Sequence, residues 1–258
     1  MRNPLSILLV IIRLILIIIP MIIFIIVYSL LSSFLFKNTP ENAFKLRRLF
    51  LKFAYFILGI SVKIEGIPSE EPALYVSNHR SLSDPLINLK TLDAYVIAKA
   101  EVAKIPVLST GAKLTGILYV KRENKKSRSA VREMMVNTLL NGHNILVYPE
   151  GTVNGVKKIT GFRPGTFNEA VKNNIPVVPM VIEYKSKKDV WTNRSLMSHF
   201  FLQFGKLRTQ AWLVIGKTMT NTDGDQLRQE VQEWTNVQIE RIHNNWDSYF
   251  SKHTTAEV

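Results

Sequence analysis

From Leu14 to Phe36 the chain carries no acidic or basic side chain over about 23 residues, and the apolar run from Leu5 to Ile12 precedes it on the far side of Arg13. A helix of that length is about 34 Å long, enough to match the hydrocarbon core of a bilayer. The segment therefore predicts a hydrophobic helical membrane anchor. A cleaved secretory signal has an apolar core of only about 7 to 15 residues with a small-residue cleavage pattern behind it, and neither feature is found here. Pro20 permits a kink and Arg13 interrupts the apolar surface, so crossing the bilayer and entering one leaflet both remain open. The next segment, FKLRRLFLKFAYFILGI from Phe44 to Ile60, mixes aromatic residues with Lys45, Arg47, Arg48 and Lys52. That composition suits an interfacial helix, and equally a helix packed on the domain that follows.

Lys and Arg number 33 against 20 Asp and Glu, a net charge of +13. The basic residues are dense just after the apolar segment and again from Lys121 to Arg132, a field that favours anionic lipid headgroups. Nucleic acid would be favoured by the same field, but no zinc-ligand spacing, RNP-like aromatic motif or other recognition module accompanies it. Basic excess beside the apolar segment predicts a catalytic domain on the cytoplasmic face. The absence of cysteine agrees with that side and excludes a disulfide framework.

After Ile60 short apolar runs alternate with longer polar stretches: SVKIEG, ALYVSN, AYVIAK, GILYVKR, NILVYPEG, IPVVPMVIEY and AWLVIGK. These read as strands separated by helical stretches such as 127–140 and 166–172. The expected fold class is α/β, a mixed and largely parallel central sheet flanked by helices. Residues 1–60 form the anchor and residues 61–250 the α/β domain. From Gln226 to Trp246, Leu227, Val231, Trp234, Ile239, Ile242 and Trp246 share one side of a helix, with Val237 off the stripe and Asp223 or Asp225 available as a cap. Asn78, His79, Lys99, Arg122 and Glu150 to Thr152 all fall just beyond the C-terminal ends of apolar runs. If those strands are parallel, the residues share the sheet edge at which α/β folds bind ligands.

Two of these residues carry a chemistry. His79 and Asp84 stand five apart in YVSNHRSLSDP, a spacing that places two side chains on different sides of a regular helix, so they can meet only across a turn. Ser81 and Ser83 favour such a turn, and Asp84-Pro85 reads as an N-cap followed by proline at the first helical position. An imidazole so placed can take a proton from a hydroxyl while the carboxylate fixes its tautomer and stabilises the imidazolium. By itself the pair also fits a surface histidine beside a helix cap.

NHRSLSD, GILYVKR, YPEGT and IPVVPM follow one another in the order and approximate spacing of the glycerolipid acyltransferase motifs, and over roughly residues 60 to 217 the chain resembles the 1-acylglycerol-3-phosphate acyltransferase (PlsC-type) family. The resemblance implies His79 as general base and Asp84 as its orienter. It implies Arg122 as a contact of the acceptor phosphate, and Glu150, Gly151 and Thr152 as the acceptor-binding Glu-Gly-Thr. Lys104 and Arg163, in or beside matched blocks, are candidate helpers at the phosphate. Ile175 to Met180 is similar to a proline-containing strand near the acyl site, and the family precedent suggests a two-helix anchor. Many members place arginine after the Glu-Gly-Thr; this chain has Val153.

The implied activity is O-acyl transfer from a thioester, on acyl-CoA or acyl carrier protein, to the free hydroxyl of lysophosphatidate. Another lysolipid such as a lyso-aminolipid is the nearer alternative, encouraged by Val153. A non-catalytic lipid-binding membrane protein is the more distant one. The expected partners are the lipid bilayer, a lysophospholipid and the acyl carrier, with no nucleic acid. The chain lacks a P-loop, a G-x-G-x-x-G, an H-E-x-x-H and a G-x-S-x-G, and His143, His199, His243 and His253 have no paired-ligand spacing. No metal or cofactor is expected.

Overall fold

The computed structural model describes residues 3–35, 39–100, 116–120, 125–155, 158–159, 161–192 and 195–253. Lys104, Arg122 and the rest of 121–124, with which the Lys121–Arg132 basic stretch begins, lie outside the described residues. Two N-terminal helices come first, α1 (Pro4–Phe34) and α2 (Pro40–Leu58). Each starts on a polar N-cap followed by proline at the first turn: the Asn3 side chain accepts from the Leu5 N–H, and that of Thr39 from the Asn42 N–H. Gly59 ends α2 at φ 65°, and a Cβ there would lie 2.1 Å from the Leu207 carbonyl oxygen, so only glycine fits.

Seven strands follow among the described residues: β1 (Ile60–Glu65), β2 (Leu74–Ser77), β3 (Ala94–Lys99), β4 (Ile117–Val120), β5 (Asn144–Val147), β6 (Val177–Tyr184) and β7 (Thr209–Ile215). They form one sheet in the order β1-β7-β6-β2-β5-β3-β4. Strands β6, β2, β5, β3 and β4 run parallel to one another. The β6–β7 pair is antiparallel and β1 is parallel to β7, so these two edge-side strands run opposite to the other five. The sheet is thus mixed and largely parallel, and β2 through β6 all deliver their C-terminal ends to one edge.

Between the strands lie α3 (Asp84–Asn88), α4 (Lys125–Leu140), α5 (Gly165–Lys172) and α6 (Leu196–Phe204), with α7 (Gly224–His253) closing the described chain. Alternation along the strands splits the core in two. Leu74, Val76, Val177, Val181, Trp212 and Val214 pack on one face with Met135 and Leu139 of α4, Phe167 and Ala170 of α5, and Leu227, Val231, Ile239, Ile242 and Trp246 of α7. Tyr75, Val178, Met180, Ile182, Leu213 and Ile215 pack on the other with Leu51, Tyr55 and Leu58 of α2, Ile87 of α3 and Phe204 of α6. Both faces are buried, which is why these strands read as continuous apolar runs. On α7, Val237 lies half exposed off the stripe, and Asp223 is the cap, accepting from the Asp225 and Gln226 N–H groups at 2.7 and 2.9 Å.

Helix α1 is the one described helix long and apolar enough to cross a membrane. It lies beside α2, with Phe24 and Phe50 in edge contact at 6.0 Å, and its outward residues, including Ile12, Ile15, Ile19, Ile23 and Ile26, are exposed. Such a strip of aliphatic surface is suited to lipid contact. Converting Ile19 and Ile23 to lysine is expected to move most of the protein off lipid vesicles, since each charge near a helix centre costs about 2.5–3.5 kcal/mol on insertion scales. Vesicle flotation checks this, and full retention of the double variant would contradict it.

Candidate active site

Strand β2 ends at Ser77, and the next residue, Asn78, is fully buried. Its side-chain amide extends the ladder to β6, donating from Nδ2 to the Ile182 carbonyl at 2.9 Å and accepting from the Ile182 N–H at 2.8 Å. The chain then leaves the sheet edge as the His79–Ser83 loop. Within it His79 Nδ1 lies 2.7 Å from Asp84 Oδ2. A carboxylate can only accept, so the neutral ring carries its proton on Nδ1 and presents a basic Nε2. Nε2 has no hydrogen-bond partner among the described residues, and the side chain is 20% exposed.

Asp84 is itself held from three other directions. Its Oδ2 accepts the Arg80 and Ser81 N–H groups at 2.5 and 2.8 Å, and Oδ1 accepts the Tyr184 hydroxyl at 2.6 Å. Burial, followed by the Asp84 charge, pushes the Tyr184 phenol well above its usual range, so it remains a donor. This corrects the expectation that Asp84 is an N-cap. The cap position is Ser83, which makes no side-chain cap bond, and Asp84 occupies the first turn of α3. Its carboxylate turns back to the loop because two N–H groups and the imidazole converge there.

The YPEGT segment meets this loop directly. Tyr148 stacks on the His79 ring with centroids 4.3 Å apart. Glu150 Oε1 accepts the His79 backbone N–H at 2.9 Å, and the Asn154 N–H donates to the His79 carbonyl at 2.8 Å. Burial raises the Glu150 carboxyl above its ordinary value, opposed by the His79 N–H bond and by Arg80. Gly151 takes φ 75°, and a Cβ there would fall 2.4 Å from the Arg163 guanidinium carbon. The space left by the missing side chain is filled by that cation. Thr152 is exposed on the same loop. Lys104 and Arg122 fall outside the described residues.

Beyond Tyr148 opens a cavity of about 340 Å³. Ile97, Val131, Met135 and Val147 line it with apolar surface, while Arg128, Arg132 and Arg163 bring guanidinium groups to it. Arg132 also lies 3.4 Å from Glu169. An apolar lining with three cations fits an amphiphilic anion.

Several residues of this arrangement were not singled out from the sequence. Arg80, 1% exposed, donates from Nε to Glu183 at 2.6 Å and from Nη1 to the Asn154 carbonyl at 2.7 Å. Glu183 also takes the Asn78 amide and, through Oε2, His243 at 3.1 Å. Ser81 Oγ is 2.9 Å from His199 Nε2, a serine–histidine pair that resembles a nucleophile and its base. Both residues are fully buried and the Ser81 hydroxyl is shared with Gln203, so the pair braces the loop rather than offering a nucleophile. Among the described residues the site presents an imidazole oriented by a carboxylate, with no accessible activated hydroxyl beside it, an arrangement that suits direct transfer to an incoming alcohol.

Residues 59–183 match the family described as Acyltransferase. The 1-acyl-sn-glycerol-3-phosphate acyltransferase alpha of Mus musculus is 32% identical over 155 residues, 56% of this chain and 54% of that protein. The 1-acyl-sn-glycerol-3-phosphate acyltransferase of Borreliella burgdorferi is 25% identical over 145 residues, 54% of this chain and 58% of that protein. The chain spans little more than half the length of these curated relatives. The crystal structure of the 1-acyl-sn-glycerophosphate (LPA) acyltransferase PlsC from Thermotoga maritima is similar with a TM-score of 0.69 and 25% identity, covering 94% of this chain and 98% of that one. The sheet order, the His79–Asp84 pair at its edge and these likenesses agree: residues 59–183 carry an acyltransferase-family domain whose fold is similar to that of PlsC.

Proposed function

We propose that the protein is a membrane-anchored 1-acylglycerol-3-phosphate O-acyltransferase, which moves a fatty acyl chain from a thioester to the free hydroxyl of lysophosphatidate to give phosphatidate. The carrier is coenzyme A or acyl carrier protein. His79 Nε2 removes the hydroxyl proton as that oxygen attacks the thioester carbonyl. The new C–O bond forms, the C–S bond breaks, and the imidazolium returns its proton to the departing thiolate. Asp84 stabilises the imidazolium through Nδ1. No acyl-enzyme, metal or cofactor enters this sequence.

The observation that carries the reading is the 2.7 Å Nδ1–Oδ2 contact, which leaves Nε2 basic, on a ring stacked against Tyr148, which itself lines a cavity reached by three arginines. Glu150 and Gly151 act on the acceptor side by holding the His79 loop and seating Arg163. The outward face of α1 keeps the domain at its insoluble substrate, on the cytoplasmic side by the basic flank of the apolar segment.

Val153, in place of the arginine many relatives carry, favours a second reading in which the acceptor lacks a phosphate monoester. The arginines decide between the two. With lysophosphatidate as acceptor, Arg163→Ala and Arg122→Ala are each expected to raise KM roughly 10- to 100-fold, because a charge-assisted hydrogen bond contributes about 1.5–3 kcal/mol. A lysolipid without a phosphate monoester is expected to be poor with the wild type and to lose little further in either variant. Preference of the wild type for that lysolipid, with both variants unchanged, would replace lysophosphatidate by a lyso-aminolipid type of acceptor.

A further inference from the structure

Arg13 interrupts an apolar helix, where methionine or leucine would serve lipid contact better, and it is only 6% exposed. Its guanidinium meets no carboxylate among the described residues. It donates through Nη1 to the carbonyls of Phe204 and Lys206 at 2.8 and 2.6 Å, and through Nη2 to that of Leu207 at 2.9 Å. These carbonyls lie at and just past the C-terminus of α6, where a helix leaves acceptors without intrahelical partners and its dipole is negative. The contact is tight on every side: a Cβ on Gly59 would come within 2.8 Å of Arg13 Nη2, and one on Gly205 within 3.4 Å of Ser6 on α1.

The same short helix reaches the catalytic loop. His199 and Gln203, four apart and therefore on one face, are both fully buried. His199 Nε2 lies 2.9 Å from Ser81 Oγ, and Gln203 accepts from Ser81 Oγ at 3.0 Å while donating to Ser83 Oγ at 2.7 Å. Ser83 Oγ is 2.9 Å from the Tyr184 hydroxyl, which donates to Asp84 Oδ1. The Ser81 backbone N–H donates to Asp84 Oδ2, the oxygen that holds His79. We infer that Arg13, Gln203 and His199 are positioning residues that link the anchor helix through α6 to the His79–Asp84 pair, so that seating of α1 sets the alignment of the general base.

This inference rests on His79 being that base. Its physical content is that an oriented base tolerates little displacement, and an error of about 1 Å can cost on the order of 100-fold in rate. Removing the guanidinium frees the end of α6 without making α1 less apolar, so it separates alignment from membrane attachment. Deleting the whole helix would confound the two.

The test uses the full chain in vesicles containing lysophosphatidate, with an acyl thioester as donor. Arg13→Met is expected to float with the vesicles as the wild type does, to lower kcat roughly 10- to 100-fold, and to leave the lysophosphatidate KM within about twofold. Arg13→Lys, which keeps a charge but lacks the fork that reaches three carbonyls, is expected to recover part of the loss. Gln203→Asn, one methylene shorter, is expected to reproduce the fall in kcat at unchanged KM, and it stands in for Arg13→Met if that variant does not fold. Wild-type kcat in either folded variant overturns the link, as does a loss that merely follows release from vesicles. A wild type that acylates no lysolipid, or an active His79→Ala, instead overturns the underlying assignment of the base.

Discussion

His79→Ala is expected to lower kcat by at least about a thousandfold while leaving the melting temperature and vesicle binding near those of the wild type. General-base catalysis contributes about 10² to 10⁴ in rate, and the proposed mechanism gives that role to His79, whose Nδ1 meets Asp84 and whose Nε2 has no hydrogen-bond partner among the described residues. Folding should change little because the side chain is partly exposed and the loop is fixed through its backbone, by Glu150 at the His79 N–H and by Asn154 at its carbonyl. Asp84→Asn is expected to retain a small residue of activity. An amide can donate to Nδ1 and so trap the wrong tautomer, and it also disturbs the Ser81, Arg80 and Tyr184 contacts. Near-normal turnover in folded His79→Ala would remove the general-base mechanism.

The largest stability effect is expected from Arg80→Met. Arg80 and Glu183 form an ion pair whose side chains are 2% and 5% exposed. Taking away one partner leaves a buried charge uncompensated, a loss of about 3–5 kcal/mol. Glu183 would keep the Asn78 amide and His243, but neither supplies the guanidinium charge beneath the catalytic loop. Arg80 also holds the Asn154 carbonyl, and its own carbonyl accepts the Trp191 N–H at 2.8 Å. The double change Arg80→Met with Glu183→Leu is expected to recover part of the loss, since replacing both members with apolar groups avoids the unpaired charge. Denaturant unfolding in detergent measures both variants. A loss below about 1 kcal/mol in Arg80→Met would mean that the pair contributes no more than a surface contact.

Much of this architecture was legible in the sequence because burial on two faces leaves a strong trace. The strands appear as apolar runs since helices cover both sides of the sheet, and α7 appears as a stripe since only one of its faces is covered. His79 and Asp84 were legible because a short turn joins them. The reversal of β1 and β7 was not, since strand direction leaves no periodic signal. Nor was the support beneath the loop. Arg80 meets Glu183 across 103 positions, and Ser81 meets His199 across 118. Arg80 reads as an ordinary exposed cation because long charged side chains are rarely buried unless a distant partner is known. Arg13 reads as an interruption of the anchor for the same reason: its three acceptors are backbone carbonyls some 190 positions away, and carbonyls carry no residue-type signature. The cavity arginines Arg128 and Arg132 lay within a basic stretch whose charge was evident and whose aim was not.

The most direct test is transfer by the purified full-length protein in vesicles, offered lysophosphatidate and other lysolipids against both acyl-CoA and acyl carrier protein thioesters. Phosphatidate should form from lysophosphatidate with release of one free thiol per ester, with no acyl group retained on the protein when acceptor is withheld. Absence of phosphatidate with either donor, or accumulation of acylated protein before acceptor is added, would contradict direct transfer to lysophosphatidate by His79.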